Sequence, residues 1–284
     1  MDDGVFSRNG VYVVVPGVLS MDLTNRNELK TLLDRHGLVL AKTYGQHFLV
    51  QRTVLEKIIG AAFPSGASSL PVIEVGPGIG TLTRELAAHA PEVIAIERDL
   101  RMRAVLAETL ADVSPVHVVE ADALRVSFTD AVFGKPYRVV SNLPYEISTP
   151  FLWKILEEES LRPVSVTLLL QAEVVTRVLE RSPHMNLLSL LVAFSGTARR
   201  VHSVSRSAFF PPPRVDSAVL HIENISPAVT PVQRRALGLA RRAFAAPRKK
   251  MSSTLGEEAG KFGEQRPSTL TPEQWLLLAE ESRS

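Results

Sequence analysis

The stretch PVIEVGPGIGTLTRELAAHA, residues 71–90, places a buried strand, a glycine-rich turn and an amphipathic helix in direct succession. Gly76, Gly78 and Gly80 leave room for a ligand to approach the backbone N–H groups at the amino end of that helix. A tight structural turn would carry the same glycines. The meaning of this stretch therefore depends on the segments around it.

Strand-like and helix-like segments alternate on either side of this turn. Continuous Val, Ile and Leu runs separated by amphipathic helices are typical of a parallel sheet covered on both faces. Strands are predicted at 71–75, 92–97, 116–120, 137–142 and 164–170, helices at 25–36, 51–62, 81–90, 100–111 and around 149–158, and a loop at 42–49. Residues 187–196 and 213–222 are predicted as longer strands that close the sheet as an antiparallel hairpin.

We predict an α/β fold in which a Rossmann-like sheet with an antiparallel closing hairpin is followed by a small all-α C-terminal domain. Residues 1–24 are expected to form a disordered extension, residues 25–225 the ligand-binding domain and residues 226–284 the helical domain. Only helical periodicity remains after residue 226, and Thr271 followed by Pro272 has the pattern of a capped helix start.

Composition excludes several kinds of chemistry. The 284 residues include no cysteine, which excludes disulfides, thiolate metal sites and cysteine nucleophiles, and no metal site is predicted. No apolar run approaches the roughly 20 residues that a membrane-spanning helix needs. The apolar run at 11–19 follows Asp2 and Asp3, where a signal peptide would carry positive charge. We therefore expect a cytoplasmic protein that does not contact a membrane.

Acidic residues end the strands that follow the glycine turn. Glu97 lies 21 residues after Gly76, where an acid of nucleotide-binding folds contacts the ribose hydroxyls, and Asp122 ends the next strand. Because the carboxyl ends of parallel strands meet at one edge, the turn and both acids are expected to line one nucleotide pocket. Either acid would also suit a helix cap.

This pocket alone does not distinguish NAD from S-adenosylmethionine. The turn is G-x-G-x-G rather than G-x-G-x-x-G, and Glu74 lies two residues before Gly76, where an acid can meet a ligand ammonium group. A dehydrogenase also needs an acid–base or metal group near the nicotinamide. No histidine, His47 and His117 included, has a recognisable catalytic setting. S-adenosylmethionine is therefore the predicted cofactor.

The stretch SNLPYEIST, residues 141–149, ends the fourth predicted strand at the same edge of the sheet. The Asn142 amide oxygen and the Leu143 carbonyl, held outward by Pro144, are two acceptors suited to an exocyclic –NH₂ group, and Tyr145 offers a flat face to a base. Holding both N–H bonds directs the nitrogen lone pair at a methyl group, on a base that has left its stack. A strand-end turn with a buried tyrosine is the structural alternative.

Motifs between Lys42 and Ile222 resemble those of the ribosomal RNA adenine dimethyltransferase family, whose members modify adjacent adenines near the end of small-subunit RNA. They are GQHFL (45–49), EVGPGIGTLT (74–83), AIERD (95–99), EADAL (120–124), NLPYEISTP (142–150), QAEVVTR (171–177) and SAFFPPPRVDSAV (207–219). The resemblance implies a class I S-adenosylmethionine-dependent methyltransferase. It also implies N6 dimethylation of two adjacent adenines of 16S RNA, linked to small-subunit assembly.

The resemblance further implies roles for individual residues. Asn142 marks the methyl-transfer point, and Phe209 or Phe210, held by the prolines 211–213, forms the second wall of the target-base slot. Without the resemblance, both phenylalanines would be assigned to the core. The implied cofactor contacts are His47, Leu49, Gly76 at the methionine end, Glu97 at the ribose, and Asp122 with its neighbour Ala123 at the adenine.

Several positions depart from the family pattern. His47 replaces the usual Asn, Ala172 replaces the usual Lys, and the segment 185–189 lacks the usual Gly-Arg. The basic element APRKKMSSTL differs from the common Arg-Arg-Lys-Thr-Leu. These changes bear on target specificity more than on the chemistry.

Positive charge is concentrated near the C-terminus. The net charge is +2, but residues 224–284 carry ten Lys and Arg against six Asp and Glu, a net +4 that leaves −2 for the rest. A solvated helix face is equally compatible with this pattern. The predicted RNA-binding residues are Arg241, Arg242, Arg248, Lys249 and Lys250.

Four functional hypotheses remain at this point. The first is a monomeric dimethyltransferase acting on small-subunit RNA in an assembling 30S particle. The second is a methyltransferase of the macrolide-resistance type that acts on 23S RNA. The third is a non-catalytic RNA-binding assembly factor, and the fourth an NAD-dependent oxidoreductase. The FFPPPRVDSAV stretch favours the first over the second, and the intact Asn142–Tyr145 box argues against the third.

Overall fold

A computed structural model of the chain describes residues 21–38 and 47–282. The predicted extension 1–24 therefore lies mostly outside the described residues, as does most of the predicted loop 42–49. The two predicted N-terminal helices are confirmed as α1 (Arg26–Arg35) and α2 (Arg52–Ala62).

Strands and helices then alternate as predicted through most of the chain. The strands are β1 (Phe48–Leu49), β2 (Val72–Val75), β3 (Val93–Glu97), β4 (Val116–Glu120), β5 (Arg138–Asn142), β6 (Ser165–Gln171), β7 (Thr197–Val204), β8 (Phe209–Phe210) and β9 (Ser217–Glu223). The remaining helices are α3 (Thr81–Ala87), α4 (Met102–Thr109), α5 (Phe128–Ala131), α6 (Ser148–Trp153), α7 (Ala172–Leu179), α8 (Leu187–Ser195), α9 (Pro231–Phe244), α10 (Ser252–Leu255) and α11 (Pro272–Glu281).

Seven of the described strands form one sheet in the order β4-β3-β2-β5-β6-β9-β7. The strands from β2 to β6 pair in parallel, whereas β9 pairs antiparallel with both β6 and β7. The predicted α/β sheet with an antiparallel closing hairpin is thus confirmed. The carboxyl ends of β2, β3, β4 and β5 meet at one edge of the sheet.

The prediction of a strand at residues 187–196 is wrong, because this segment forms α8. The Asn186 side chain accepts hydrogen bonds from the backbone N–H groups of Leu188 and Ser189, at 2.9 and 3.0 Å, and the Ser189 hydroxyl bonds back to the Asn186 N–H. This capping box starts a helix that is buried on nearly every side, so its sequence lacks the period that separates a helix from a buried strand. The true partner of β9 is β7.

Helices cover both faces of the sheet. Leu168 and Leu220 point into a hydrophobic core shared with α6, α7 and α8, whereas their neighbours Leu169 and Val219 point into a second core with α2. This alternation confirms the continuous apolar strands as central strands buried on both faces.

The C-terminal segment is helical, as predicted. The helices α9 and α11 extend the core that includes α8, and the Gln233 amide donates a hydrogen bond of 3.0 Å to the Phe194 carbonyl. The predicted start at Thr271 is confirmed, because its hydroxyl caps α11. The domain boundary near residue 225 stays a prediction. Within residues 21–38 and 47–282, none of the helices is long and apolar enough to cross a membrane.

A π-helical turn, Lys154–Glu158, follows α6 and joins two parts of the fold. Just beyond it, the buried Glu159 pairs with the Lys154 ammonium at 2.7 Å and accepts the N–H of Phe128 at the start of α5. Within the turn, Glu157 pairs with Arg241 of α9. The two acids thus anchor the turn to α5 and to the C-terminal helices.

Replacing Asn186 by Ala should destabilise the protein by about 1–2 kcal/mol, because two N–H groups at the start of α8 lose their acceptor. Urea unfolding followed by circular dichroism measures the change. Asn27→Ala is the matched control, since Asn27 is exposed on α1, and it should change the free energy of unfolding by less than about 0.5 kcal/mol. Equal effects of both substitutions would contradict the capping role.

Candidate active site

A cavity of about 490 Å³ opens at the carboxyl edge of the parallel strands. It lies where the glycine turn, the acids after β3 and β4, and the loop after β5 meet. The predicted site residues that line it are His47, Leu49, Glu74, Gly76, Gly78, Glu97, Asp122, Ala123, Asn142, Leu143, Pro144 and Tyr145. Three residues that were predicted to contact the cofactor or the target base, Gly80, Phe209 and Phe210, do not line the cavity.

The glycine turn fits closely against its neighbours. Gly76 has a φ of +67°, and a Cβ at this position would lie 3.1 Å from the Pro144 ring. Gly78 has a φ of +60°, and its Cβ would lie 3.1 Å from the Phe48 ring. Only glycine combines this backbone conformation with so little space, so the turn can lie directly beside the loop after β5.

Gly80 has a structural role at the start of α3, and it does not line the cavity. It is the left-handed residue before α3, with a φ of +85°, and a Cβ there would lie 3.0 Å from the Leu110 side chain. Its conformation starts α3 close to α4, so that Thr81 and Leu82 of α3 line the cavity although Gly80 does not.

The two predicted acids accept hydrogen bonds from backbone N–H groups, Glu97 through both oxygens and Asp122 through one. Glu97 accepts from the N–H of Asp99 at 2.7 Å and from that of Gly78 at 3.4 Å. Burial raises the pKa of Glu97, although these backbone hydrogen bonds oppose the shift. Asp122 accepts from the Leu124 N–H at 2.9 Å, and its second oxygen lies 3.7 Å from Arg98. Both acids therefore accept hydrogen bonds from turns near their strand ends, cap no helix among the described residues, and also line the cavity.

Glu74 is the most unusual acidic residue in the cavity wall. Its side chain is 1% exposed, and its Oε2 has no hydrogen-bond partner among the described residues. Burial raises its pKa to about 8, and the charge of Glu97 adds to the shift. A buried acid without a partner is costly unless a ligand supplies one, and a ligand ammonium group would do so.

His47 connects the end of β5 with the segment that follows β8. The Asn142 side-chain amide donates a hydrogen bond of 3.3 Å to the His47 carbonyl, and the His47 ring nitrogen Nδ1 lies 2.8 Å from the Pro211 carbonyl. Because a carbonyl can only accept, the Asn142 nitrogen must face it, and the Asn142 oxygen is left as an acceptor without a hydrogen-bond partner in residues 21–38 and 47–282. His47 was predicted to contact the cofactor, and its motif gave no sign of this hydrogen bond with Asn142.

Tyr145 is held in place from two sides. Its hydroxyl hydrogen-bonds the Ser217 hydroxyl at 2.6 Å, and burial raises its pKa. The His47 ring lies nearly parallel to it, with 6.0 Å between the ring centroids and 30° between the planes. Ser217 belongs to the DSAV segment of the last family motif, but no sequence signal separated it from its neighbours.

The structure does not bring Phe209 to the cavity. Its side chain is completely buried in the core beside α2, and it pairs with Leu49 in the two-stranded ladder of β1 and β8. Phe210 is half-buried and is not part of the cavity lining, although its strand partner Phe48 is. Among the described residues, the ring that faces Tyr145 is that of His47.

The predicted RNA-binding cations differ in their surroundings. Arg241 pairs with Glu157 and stacks over the Trp153 ring, Arg242 pairs with Glu258, and Lys250 pairs with Glu264. By contrast, the exposed side chains of Arg248 and Lys249 form no ion pair within the described ranges. Positive charge at this cluster is therefore partly neutralised.

This pocket at the carboxyl edge of a Rossmann-like sheet, with an unpartnered acid oxygen beside the glycine turn, fits the class of S-adenosylmethionine-dependent methyltransferases. The model of the family described as "Ribosomal RNA adenine dimethylase" matches residues 38–264. The chain belongs to this ribosomal RNA adenine dimethylase family, which confirms the resemblance inferred from its motifs.

Relatives with this similarity are spread over distant bacteria. The chain is 34% identical over 271 residues to "Ribosomal RNA small subunit methyltransferase A" of Dehalococcoides mccartyi, a match that covers 88% of this chain and 91% of the relative. It is 38% identical over 265 residues to the protein of the same name from Sinorhizobium fredii, covering 88% of each.

Two solved structures have the same fold over most of the chain. A dimethyladenosine transferase from Plasmodium falciparum superposes with a TM-score of 0.71 at 25% identity, covering 84% of this chain and 98% of the other. The 23S rRNA methyltransferase ErmE superposes with a TM-score of 0.66 at 26% identity, covering 84% and 100%.

Replacing Glu74 by Gln should change how stability depends on pH. Because the pKa of Glu74 is about 8 in the folded protein, the stability that its proton contributes is complete below about pH 4.5 and is lost as the pH rises to about 8. The wild type should therefore lose a few kcal/mol relative to Glu74→Gln between pH 5 and pH 8, measured by urea unfolding at both pH values.

The control for this prediction is Glu56→Gln, an exposed acid on α2. It should change the free energy of unfolding by less than about 0.5 kcal/mol at either pH. A difference between wild type and Glu74→Gln that is the same at pH 5 and pH 8 would show that Glu74 is already ionised in the folded protein.

Proposed function

We propose that this methyltransferase dimethylates the exocyclic N6 of two adjacent adenines near the 3′ end of 16S ribosomal RNA. The observation that carries the proposal is the orientation of Asn142, whose amide nitrogen is engaged by the His47 carbonyl while its oxygen remains available at the cavity wall. An acceptor at this point suits an amino group and would not suit a ring oxygen or a carbonyl.

The acceptors act on an amino group that is a poor nucleophile. The lone pair of an adenine N6 is delocalised into the ring, so the nitrogen must become tetrahedral before it can attack. The Asn142 oxygen takes one N–H, and we propose the Leu143 carbonyl, in the same stretch of the cavity wall, for the other. This is catalysis by positioning and electrostatics, and it requires no strong base.

The target base must leave its stack to reach Asn142. Tyr145 then provides a fixed flat surface, because its hydroxyl bond to Ser217 and the nearby His47 ring hold the phenol ring in place. We propose that the base stacks on Tyr145, with the His47 ring in the position that the phenylalanines were predicted to fill. Stacking of this kind contributes about 1–3 kcal/mol per base.

The cavity residues also fit the cofactor. When bound, S-adenosylmethionine supplies an electrophilic methyl group. The orphaned Glu74 oxygen suits its ammonium group, the close approach at Gly76 suits its methionine portion, and Glu97 and Asp122 suit its ribose and adenine. We propose Leu49 and Ala123 as apolar contacts to the same ligand, with Gly78 opening the backbone beside it.

The RNA is proposed to reach the site from an assembling 30S particle, with the protein acting as a cytoplasmic monomer. The cluster Arg241, Arg242, Arg248, Lys249 and Lys250 would contact phosphates, and Arg248 and Lys249 contribute the charge that no acid neutralises. Matches to small-subunit enzymes over nearly their whole length support this target.

The second candidate is methylation of 23S RNA, which the similarity to ErmE favours. The assay that separates the two uses labelled S-adenosylmethionine with either unmethylated small-subunit particles or naked 23S RNA. We expect transfer to the particles alone, mapped by mass spectrometry to two adjacent dimethylated adenines. Transfer to 23S RNA alone would overturn the proposal, and no transfer to either would favour a non-catalytic assembly factor.

Replacing Asn142 by Ala should lower kcat by roughly 10²–10³-fold, because one of the two acceptors for the amino group is lost. Binding of S-adenosylhomocysteine, measured by calorimetry, should change little. Tyr145→Phe is the comparison, since it keeps the flat ring and loses only the bond to Ser217, and it should retain much more activity. A kcat of Asn142→Ala close to the wild-type value would remove Asn142 from the mechanism.

A further inference from the structure

Four arginines lie along the free edge of the sheet and the loop that follows it. They are Arg199 and Arg200 on β7, and Arg206 and Arg214 on the connection between β7 and β9, and all four are exposed. We call them the β7 rim. Between residues 197 and 216 the chain has a single acid, Asp216, and its carboxylate accepts the backbone N–H of Arg206 at 3.0 Å.

The charge of the β7 rim is not neutralised. Arg200 donates to the Thr176 hydroxyl at 2.7 Å, and Arg206 reaches the Arg214 carbonyl at 3.5 Å. Both partners are neutral, and none of the four arginines forms an ion pair in the part of the chain that the structure describes. The C-terminal cluster differs, because three of its five cations face acids. A count of charges along the sequence gives no sign of this contrast.

The rim leads directly to the mouth of the active site. Val204, the last residue of β7, is paired with Ser217, whose hydroxyl bonds Tyr145. The loop between Arg206 and Arg214 includes Pro211, whose carbonyl bonds the His47 ring. From Val204 back to Arg200 the strand extends roughly 13 Å at about 3.3 Å per residue. The strand and the loop that carry the four cations are thus connected to the two aromatic rings of the site, with Arg199 and Arg200 on opposite faces of β7.

We propose that the β7 rim binds the phosphate backbone of the RNA strand that flanks the target adenine. This inference rests on the proposed function and names the surface that holds the substrate beside the site. Arginines without acid partners release counterions when they contact phosphates, and such contacts fix register and orientation without reading sequence. The rim would therefore hold the strand on either side of an extruded base while Tyr145 and Asn142 engage the base itself.

The rim also has a simpler interpretation. Cations on an edge strand prevent pairing with the edge of another molecule, and β7 is an edge strand of the sheet. In that case, removing the charges would promote aggregation and leave RNA binding unchanged. The loop arginines Arg206 and Arg214 lie beyond the end of β7 and would not be needed for such protection.

The test compares two triple variants with the same change in net charge. The rim variant is Arg199→Gln, Arg206→Gln and Arg214→Gln. The control variant is Arg103→Gln, Lys135→Gln and Lys261→Gln, three exposed cations on α4, on the loop after α5 and near the C-terminus. Binding to unmethylated small-subunit particles is measured from 50 to 300 mM KCl. Affinity that depends on phosphate contacts falls steeply over about this range of salt concentration.

The rim variant should bind at least about tenfold more weakly near 150 mM salt, and its salt slope should fall by roughly 2–3, at 0.7–0.9 for each lost phosphate contact. KM should rise more than kcat falls, and affinity for S-adenosylhomocysteine should stay the same. The control variant should match the wild type in all five quantities. If the triple variant fails to bind S-adenosylhomocysteine, its fold is disturbed and single substitutions of Arg206 and Arg214 replace it. Each of these should lower the salt slope by about 0.7–0.9.

A rim variant that matches the control in affinity and slope would overturn the inference, and aggregation without weaker binding would assign the rim to edge protection. This outcome is separable from a failure of the proposed function. If the wild type methylates the particles and the rim variant binds them normally, only the rim is wrong. If the wild type binds through the rim but transfers no methyl group, only the proposed activity is wrong.

Discussion

The hydrogen bond from the Asn142 amide to the His47 carbonyl is the contact on which the active site depends. It joins the end of the fourth parallel strand to a segment 95 residues earlier in the chain. Through the His47 ring, the same connection extends to the Pro211 carbonyl, and through Tyr145 to Ser217. Three distant segments are thus held around one amide oxygen, and its orientation follows from the inability of a carbonyl to donate.

The rest of the site is arranged so that a ligand can come close to that oxygen. Glycine at position 76 lets the turn after β2 lie against Pro144, which brings the cofactor wall and the base-binding wall together. Glu74 remains buried and unpaired on the cofactor side. A side chain that violates the usual rule for buried acids is expected at a functional site rather than in a core, because the rest of the fold must offset its cost.

Much of this arrangement was predictable from the sequence, because it depends on features local to the chain. Four apolar strands, each with Gly, Glu, Asp or Asn at or just after its end, predicted the parallel sheet. Their polar ends were therefore expected at one edge of that sheet. The strand prediction at 187–196 failed because a helix buried on nearly every side leaves no period in its sequence. The burial of Phe209 was not predictable, because an aromatic residue beside prolines can face either the core or a ligand. The pairing of Arg241, Arg242 and Lys250 with acids was also unpredictable, since Glu157, Glu258 and Glu264 are brought close to them only by the tertiary fold.

The π-helical turn at Lys154–Glu158 requires a fixed number of residues in this segment. A π turn contains one residue more than an ordinary helical turn, and here the extra residue lets Glu157 face α9 while Glu159 faces α5. Loss of a single residue would restore a regular helix and rotate everything beyond it by about 100°. One acid would then point away from its partner. The number of residues in this turn is therefore fixed by the two anchoring acids together, in addition to the identity of each.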